Sequence, residues 1–367
     1  MKRISLIANS GIQYIKFTTE INKDFGKIPE NKIYYQDSFD INTDEYVLDP
    51  LFKYTKDGDS VFFRKQELYQ GDYLANGRIK EDMDLSLLQS FYTADEESNL
   101  SHTLKTFRRK WIPLPYFKDN SINKDVLYPT DWVRVFVDYD EELTTAKVII
   151  AVDTLLAQNE NDRTSPQLSL NRDENLFKLS DSDLNIANVL SDPHFSSKWI
   201  DKYIADIFYG KNEENRYDKP YKRYVARYLF FIKWLGSLMQ IPEIQLFTDR
   251  MKKVDLVIDV GNSATCALLF ENKDDNSFDF ESVKKLIIQD YTQPDKEYAE
   301  PFPMNVVFSE SKFGEINDTS DNKKFTVPSL VRIGWEAEEL INSSVTDLSL
   351  GYELKTYNSS PKRYLWD

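Results

Sequence analysis

The stretch VDLVIDVGNSATCALLFE, residues 254–271, decides the fold of the second half of the chain. Apolar residues dominate both alternating faces of residues 254–260, which predicts a β-strand lying in a buried sheet. The run breaks at Gly261, Asn262 and Ser263, residue types suited to a tight turn and to positive φ. A second apolar run follows from Thr265 to Phe270. The stretch therefore predicts an antiparallel β-hairpin.

The turn of this hairpin has the residue types of a phosphate-binding loop. Gly261 lets the backbone approach a ligand, and successive turn N–H groups form an anion-binding concavity. Asn262, Ser263 and Thr265 add polar side chains. Asp259, two positions before the glycine, would hold Mg²⁺, usually through water, because a carboxylate inside a sheet is costly unless it faces a cation. The alternative is a plain hairpin with a polar turn, since a short glycine-containing turn is a weak signal.

Three ordered segments carry a resemblance to a known superfamily. DVGNSAT (259–265) resembles the first phosphate loop of the actin/Hsp70/sugar-kinase superfamily. FTVPSLVRIGWEAEEL (325–340) resembles the Hsp70 landmark in which a Thr-x-Pro-Ser strand precedes a helix opened by Gly-x-x-Ala. SSPKRYLWD (359–367) is similar to the Hsp70 segment in which a Lys-Arg pair precedes two apolar residues. The resemblance implies part of an actin/Hsp70-like (RNase H-like) α/β nucleotide-binding lobe.

This resemblance also implies site residues and cofactors, namely ATP and Mg²⁺. Asp259 would act on Mg²⁺, and Gly261, Asn262, Ser263 and Thr265 would cradle the β- and γ-phosphates. Lys362 aligns with the lysine that contacts the γ-phosphate and the attacking water, a role that fits because positioned charge and metal provide most of the stabilisation in phosphoryl transfer. The implied catalytic residues are thus Asp259 and Lys362. A surface basic pair remains the alternative for Lys362 and its neighbour Arg363.

A resemblance that covers more of the chain is to the SrfB family of bacterial virulence-associated proteins. It rests on SLIANSGIQYIKF (5–17), ARYLFFIKWL (226–235) and SPKRYLWD (360–367). It implies that the chain is the N-terminal portion of a longer protein that is predicted to be an actin-like ATPase. The implied partner is then the missing C-terminal remainder of the same protein.

Only half of a nucleotide site can be recognised in the sequence. The superfamily needs a second Asp-containing phosphate loop and a Gly-rich adenosine loop, and residues 1–255 offer no convincing match to either. The chain alone is therefore expected to bind nucleotide weakly or not at all, and ATP hydrolysis is expected only of a full-length protein. The alternative is a non-catalytic interaction module with a vestigial nucleotide lobe, in which the first 250 residues bind another protein of a virulence or secretion-linked complex.

The composition of the chain limits its expected partners, metal sites and cellular location. The 367 residues carry a net charge of −15, which disfavours nucleic acid and anionic membranes as partners. One cysteine, Cys266, and two histidines provide no disulfide framework or zinc site, and Cys266 is expected to be a small buried side chain. No apolar run approaches the roughly 20 residues of a membrane span, and no signal segment is recognisable. A bacterial cytoplasmic location is expected, unless a specialised system exports the chain.

Three segments are predicted along the chain. Residues 1–156 form a β-rich N-terminal domain, residues 157–250 a linker and helical segment, and residues 251–367 the incomplete first lobe. The predicted fold class is thus an α+β N-terminal region followed by part of an α/β lobe. Within 157–250, apolar periodicity predicts one helix that contains Trp199 and Tyr203 and another over residues 221–240, whose aromatic stripe is typical of a core.

Several strands of the first segment follow from local patterns. The apolar runs 4–8 and 12–17 flank Asn9-Ser10-Gly11, whose turn chemistry predicts a hairpin. Residues 132–138 and 146–153 form the clearest strand pair. The acidic residues at its turn, Asp138, Asp140, Glu141 and Glu142, fit a hairpin turn in water, with a cation site as the alternative. Two prolines confine residues 111–117 to a sheet edge or packing strip.

Overall fold

The structure of the chain is a computed structural model. It describes residues 3–21, 33–40, 45–56, 59–75, 78–80, 96–98, 100–118, 132–140, 142, 144–157, 165–180, 198–209, 223–237, 241–248, 254–271, 281, 283–289, 297–308, 331–346 and 356–359. The chain divides into two compact units, unit 1 (Met1–Phe247) and unit 2 (Thr248–Asp367). Each unit has its own sheets and helices.

Unit 1 combines many short strands with a few helices. Its described strands are β1 (Arg3–Ile7), β2 (Ile12–Glu20), β3 (Ile33–Asp40), β4 (Glu45–Lys56), β5 (Asp59–Arg64), β6 (Leu74–Ala75), β7 (Arg78–Ile79), β8 (Glu96–Ser98), β9 (Trp111–Pro113), β10 (Tyr116–Lys118), β11 (Val133–Tyr139), β12 (Thr145–Asp153), β13 (Leu176–Leu179) and β14 (Glu243–Phe247). Its described α-helices are α1 (Lys65–Gln70), α2 (Leu100–Phe107), α3 (Lys198–Tyr209) and α4 (Arg223–Ser237).

These strands form three four-stranded sheets and one two-stranded sheet. The strand orders are β1-β14-β13-β10, β2-β12-β11-β9, β5-β4-β3-β8 and β6-β7. The predicted segment 1–156 and residues 157–247 of the predicted segment 157–250 lie together in unit 1. They share a sheet, in which β13 and β14 of the second segment join β1 and β10 of the first. The predicted start of the lobe at residue 251 lies close to the boundary between the units.

The predicted hairpin at the start of the chain is wrong. The turn at Asn9-Ser10-Gly11 is present, and both Asn9 and Gly11 have positive φ. However, β1 pairs in parallel with β14, and β2 pairs antiparallel with β12, so the turn is a corner between two sheets. Thr154 holds this corner, since its hydroxyl donates to the Gly11 carbonyl at 2.8 Å. Turn chemistry alone did not reveal which strands would pair.

The predicted strand pair at 132–153 is confirmed. β11 and β12 pair antiparallel from Val133–Val152 to Tyr139–Ala146. Alternate residues of β12, such as Val148 and Ile150, belong to the main core of unit 1 together with Val135 and Val137 of β11. The alternation of apolar residues with period two thus builds the face that packs against the helices and against the sheet of β1, β14, β13 and β10.

The two helices predicted between residues 157 and 250 are confirmed as α3 and α4. The predicted aromatic stripe of α4 is core, because Tyr224, Tyr228 and Phe231 are buried. Its polar atoms are used inside the unit as well: the Tyr228 hydroxyl donates to the Pro113 carbonyl at 2.6 Å, and Tyr203 of α3 donates to the Trp111 carbonyl at 2.6 Å. Helix hydroxyls therefore bond to carbonyls of the proline-containing strand β9.

The proline-containing segment lies at sheet edges, as predicted. β9 ends one four-stranded sheet and β10 ends another. Pro113 belongs to β9, where it pairs with Arg134 on its one described neighbour strand. An edge strand tolerates the missing N–H of proline, because one side of the strand has no ladder to complete.

Unit 2 contains shorter strands around a single described helix. Its described strands are β15 (Val254–Val260), β16 (Ala264–Glu271), β17 (Lys284–Lys285), β18 (Ile287–Gln289), β19 (Glu297–Ala299), β20 (Phe302–Pro303), β21 (Asn305–Phe308), β22 (Val331–Ile333) and β23 (Thr356–Ser359), and its helix is α5 (Gly334–Thr346). The sheet orders are β15-β16-β17 with β20 also on β16, β18-β19, and β22-β21-β23.

Helix α5 packs on the sheet of β21, as shown by the residues buried there. Val307 of β21 and Ala337 of α5 are buried, and so is Arg332 of β22. The Arg332 guanidinium lies 3.2 Å from a carboxylate oxygen of Glu336 in the first turn of the helix. The prediction that Gly334 to Ala337 opens a helix is confirmed. Among the described residues, no helix has both the length and the apolar character needed to cross a membrane.

Candidate functional site

The hairpin predicted at residues 254–271 is formed. β15 and β16 pair antiparallel from Val254–Glu271 to Val260–Thr265, so the turn falls at Gly261, Asn262 and Ser263. Both strands and the turn thus lie where the sequence predicted them.

Gly261 is required by a close backbone contact. Its N–H donates to the Ala264 carbonyl at 2.9 Å and closes the turn. A Cβ at this position would lie 2.6 Å from the same carbonyl oxygen, closer than real side chains approach. The described glycines with positive φ are Gly11 and Gly334, so the glycine of this turn is needed for space and not for its dihedral angle.

Asp259 is exposed next to the turn. It pairs across the hairpin with Cys266, and its carboxylate makes no hydrogen bond or ion pair with any residue that the structure describes. Asp255 shares its face of β15 and is also exposed. An exposed carboxylate beside a closed glycine turn is accessible to a cation from solvent.

The polar residues of the turn separate into two groups. Asn262 and Ser263 are exposed at the tip, and the Ser263 carbonyl accepts a hydrogen bond from the Met304 N–H at 3.2 Å. The Thr265 hydroxyl lies 2.8 Å from the Met304 sulfur. Because Thr265 pairs with Val260, one position along from Asp259, strand alternation places it on the other face of the sheet. The structure therefore gathers Asp259, Asn262 and Ser263 around the tip and turns Thr265 towards Met304.

Lys362 and Arg363 lie outside the described residues. The nearest described element is β23, which ends at Ser359 and pairs with Asn305 of β21. The predicted roles of Lys362 and of the turn residues towards a nucleotide stay predictions.

The predicted burial of the hairpin is wrong. All seven residues of β15 are exposed, and the apolar side chains Val254, Leu256, Ile258 and Val260 retain 40–50% of their accessible surface. The one described neighbour strand of β15 is β16, and the exposure of alternate side chains shows that no described layer covers either face of β15. Cys266 is half-buried, where full burial was expected.

Residues distant in sequence support the hairpin from its other side. Glu300 accepts a hydrogen bond from the Ala267 N–H at 3.0 Å, and Lys285 lies 3.6 Å from the same carboxylate. Met304 contacts Ser263 and Thr265 as described above. Local pattern could not identify Glu300 or Met304, because they reach the hairpin through strand pairing more than 30 residues away.

The other acidic cluster, at the turn between β11 and β12, is structural where it is described. Asp138 accepts from the Arg108 guanidinium at 2.9 Å and lies 3.4 Å from that of Arg109. Asp140 accepts hydrogen bonds from the hydroxyls and amides of Thr144 and Thr145. The Thr144 hydroxyl, followed by these other donors, lowers the pKa of Asp140 from its ordinary value of 3.8 to about 2. Asp140 thus holds its own turn, and Asp138 joins β11 to the segment that follows α2.

No group of three or more His, Cys, Asp or Glu side chains able to hold a metal occurs among the described residues. A Mg²⁺ ion at the hairpin would therefore have Asp259 as its described carboxylate. That arrangement fits the chemistry of Mg²⁺, which commonly binds one or two carboxylates and takes its other oxygens from water and phosphate.

The fold and the site define a mixed α+β protein whose second unit carries a glycine-closed hairpin with an exposed first strand, and the Asp259 carboxylate on that strand has no partner among the described residues. In a comparison with known protein families, the family described as virulence factor SrfB matches residues 1–367. Because the match covers the whole chain, the chain belongs to the SrfB family. No curated protein matches the chain. No solved structure matches it either.

Proposed function

We propose that this SrfB-family chain carries the first phosphate-binding hairpin of an actin/Hsp70-like ATPase. One observation carries the proposal. The turn at Gly261 closes so tightly that it excludes a side chain, and Asp259 stands beside it exposed and without a described partner. The Gly261 N–H is used to close the turn, so the proposal assigns the anion to the N–H groups of Asn262 and Ser263 at the tip, next to a carboxylate for the counter-cation.

Each residue of the tip has a role in the proposal. Gly261 allows the phosphates to approach the backbone, and Asn262 and Ser263 donate hydrogen bonds to them. Asp259 holds Mg²⁺ through water. Thr265 was predicted to join this group, but it contacts Met304 on the face of the sheet opposite Asp259, so the proposal gives it no contact with the phosphates.

The proposed site is completed by other polypeptide. Lys362 would bring a positive charge to the γ-phosphate, where it stabilises the charge that develops in phosphoryl transfer. A second phosphate loop and an adenosine loop would come from the remainder of a longer SrfB protein. A further protein of a virulence or secretion-linked complex is a proposed partner of the assembled ATPase. Residues 1–367 alone are then expected to bind Mg-ATP weakly and not to hydrolyse it.

The test begins with the intact mass of the native product in its source cell, compared with the 43.1 kDa of this chain. Mg-ATP binding to that native product is then measured by calorimetry, next to the Asp259→Asn and Asp255→Asn variants. Asp255 is the matched control, because it is an exposed carboxylate on the same face of the same strand. We expect the affinity to fall at least tenfold in Asp259→Asn and to stay unchanged in Asp255→Asn.

Two results would contradict the proposal in different ways. If residues 1–367 bind Mg-ATP with micromolar affinity that Asp259→Ala abolishes, the site is already complete and the need for other polypeptide is wrong. If the native product does not bind Mg-ATP, or binds it equally well in Asp259→Asn, the hairpin is not a phosphate site. The non-catalytic interaction module would then be the better interpretation.

A further inference from the structure

Two of the described Asn-Ser dipeptides lie in turns, and they differ in their hydrogen bonds. Asn9-Ser10 belongs to the corner between β1 and β2, and Asn262-Ser263 forms the tip of the hairpin β15–β16. All four residues are exposed. Access of water is therefore similar at the two dipeptides, so a difference in their chemistry has to come from their contacts.

The dipeptide at the corner is held by hydrogen bonds on both residues. The side-chain oxygen of Asn9 accepts from the Leu156 N–H at 3.0 Å, and the Ser10 N–H donates to the Thr154 hydroxyl oxygen at 3.1 Å. The Asn9 N–H also donates to the Thr154 carbonyl at 2.8 Å. The side-chain amide of Asn9 and the backbone nitrogen of Ser10 are thus both fixed in place.

The dipeptide at the hairpin tip lacks these contacts. Neither the Asn262 side chain nor the Ser263 N–H makes a hydrogen bond with any residue that the structure describes. The tip is anchored instead through the Ser263 carbonyl, which accepts from the Met304 N–H at 3.2 Å. The Asn262 side chain can therefore approach the Ser263 nitrogen without first breaking a hydrogen bond, and such an approach is what an intramolecular reaction requires.

An asparagine can lose its amide by reacting with the residue that follows it. The backbone nitrogen of Ser263, after giving its proton to solvent, attacks Cγ of Asn262, and the new C–N bond closes a five-membered succinimide ring. The bond from Cγ to the amide nitrogen breaks, and this nitrogen takes a proton from water and leaves as ammonia. Addition of one water molecule to either ring carbonyl opens the ring to aspartate or isoaspartate. Water is the co-reactant, and no oxidant or reductant is needed.

We propose that Asn262 is a site of spontaneous deamidation, with water as the reactant, and that the hydrogen bonds of the corner protect Asn9 from the same reaction. The product carries a carboxylate in place of a neutral amide, on the same turn as the exposed carboxylate of Asp259. The consequence for nucleotide binding rests on the proposed function: the added negative charge repels the phosphates that the tip would bind. Deamidation thus switches the proposed phosphate site off.

The rate of deamidation is measured without any ligand. The 367-residue chain is incubated at neutral and at mildly alkaline pH, digested at acidic pH, and analysed by mass spectrometry at successive times. We expect Asn262 to deamidate at least tenfold faster than Asn9, and faster at the higher pH because the attacking nitrogen must lose its proton. Asn342, which is exposed in α5, is a second reference and should also react slowly, because helical hydrogen bonding holds the N–H that follows it.

Two variants change the reactivity of the two dipeptides in opposite directions. Thr154→Val removes the hydroxyl that accepts from the Ser10 N–H and should speed the deamidation of Asn9. Ser263→Val places a β-branched side chain beside the attacking nitrogen and should slow the deamidation of Asn262. An unchanged rate at Asn342 checks that each variant is folded.

The effect on the site is measured on the native product. Anion exchange separates the form deamidated at Asn262, which has an additional negative charge, and calorimetry compares the Mg-ATP affinity of the two forms. We expect the deamidated form to bind at least tenfold more weakly, and equal affinities would overturn the proposed switch.

Two further results separate the modification from the proposed function. Equal deamidation rates at Asn262 and Asn9 would overturn the modification site itself. An unmodified form that does not bind Mg-ATP would contradict the phosphate-binding hairpin and with it the switch, while the rates measured without ligand decide on their own whether Asn262 is modified.

Discussion

The hairpin β11–β12 of unit 1 and the hairpin β15–β16 of unit 2 share their local architecture and differ in their surroundings. Both pair seven-residue first strands with slightly longer second strands, and both have a carboxylate next to the turn. β11 and β12 lie inside a four-stranded sheet, and Val135 and Ile150 are fully buried. β15 has β16 as its one neighbour among the described strands, and its apolar residues are exposed on both faces.

The carboxylates of the two hairpins differ in the same way. Asp140 accepts four hydrogen bonds from Thr144 and Thr145, so its charge is used to hold the turn. Asp259 has no partner among the described residues, so its charge is available to a ligand. The comparison teaches that the same local motif serves stability when its polar groups are satisfied within the fold and recognition when they are not.

The largest difference in unfolding free energy is expected when the same side-chain truncation is made in each hairpin. Ile150→Ala removes a fully buried side chain and should cost about 2–5 kcal/mol of unfolding free energy. Ile258→Ala removes one that is 50% exposed and should cost less than about 1 kcal/mol. Urea unfolding followed by tryptophan fluorescence, to which Trp132 and Trp234 contribute in unit 1, checks the first value, and hydrogen exchange over residues 254–271 checks the second. Equal costs would mean that β15 is covered in solution.

A smaller difference in unfolding free energy is expected when the glycines of two turns, Gly11 and Gly261, are substituted. Gly11→Asn should cost less than about 1 kcal/mol, because asparagine tolerates the positive φ there and no atom lies within 4 Å of the added Cβ. Gly261→Asn should cost about 1–3 kcal/mol, because any Cβ meets the Ala264 carbonyl oxygen at 2.6 Å. Thermal unfolding of both variants, with Gly11→Ala and Gly261→Ala beside them, tests the distinction. It breaks down if asparagine is tolerated equally at the two positions.

The smallest effect is expected from neutralising the two carboxylates. The donors around Asp140 hold its pKa at about 2 in the folded chain, against an ordinary value of 3.8. Because the folded pKa is the lower one, this carboxylate stabilises the fold above pH 3.8, and the stabilisation is lost as the pH falls from there through 2.

Asp140→Asn should therefore lower the melting temperature at neutral pH, and the difference from the unsubstituted chain should shrink towards pH 2. Asp259→Asn is the comparison variant and should leave the melting temperature at neutral pH unchanged, because the Asp259 carboxylate makes no hydrogen bond with the described residues. Melting curves at a series of pH values measure both. A constant Asp140→Asn difference down to the acid limit would show that the ionised carboxylate is not what holds the turn.

The local sequence was enough to predict the structure where the residues that contact each other are close along the chain. The hairpins at 133–153 and 254–271 were predicted because a short turn leaves each strand one adjacent partner. Helices α3 and α4 were predicted because their apolar residues recur with helical spacing. The same logic located Asp259, Gly261, Asn262 and Ser263 on one turn.

The rest depends on contacts between distant segments. Asn9-Ser10-Gly11 has hairpin chemistry, yet β1 pairs with a strand more than 230 residues away, so no local signal distinguished a corner from a hairpin. The alternation in β15 indicated a strand but could not show whether a neighbour would cover it. The contact between Thr265 and Met304 likewise depends on how β20 approaches β16.

The parallel pairing of β1 with β14 determines when unit 1 can complete its folding during translation. β1 ends at Ile7 and its partner strand ends at Phe247, so about 240 residues are synthesised between them. At bacterial and eukaryotic translation rates of about 5–20 residues per second, β1 waits roughly 12–50 s for that strand. Leu6, buried in the finished core, has no partner strand during this interval. Unit 1 therefore closes late, and a nascent-chain chaperone that shields the first strand would have its greatest effect before residue 247 leaves the ribosome.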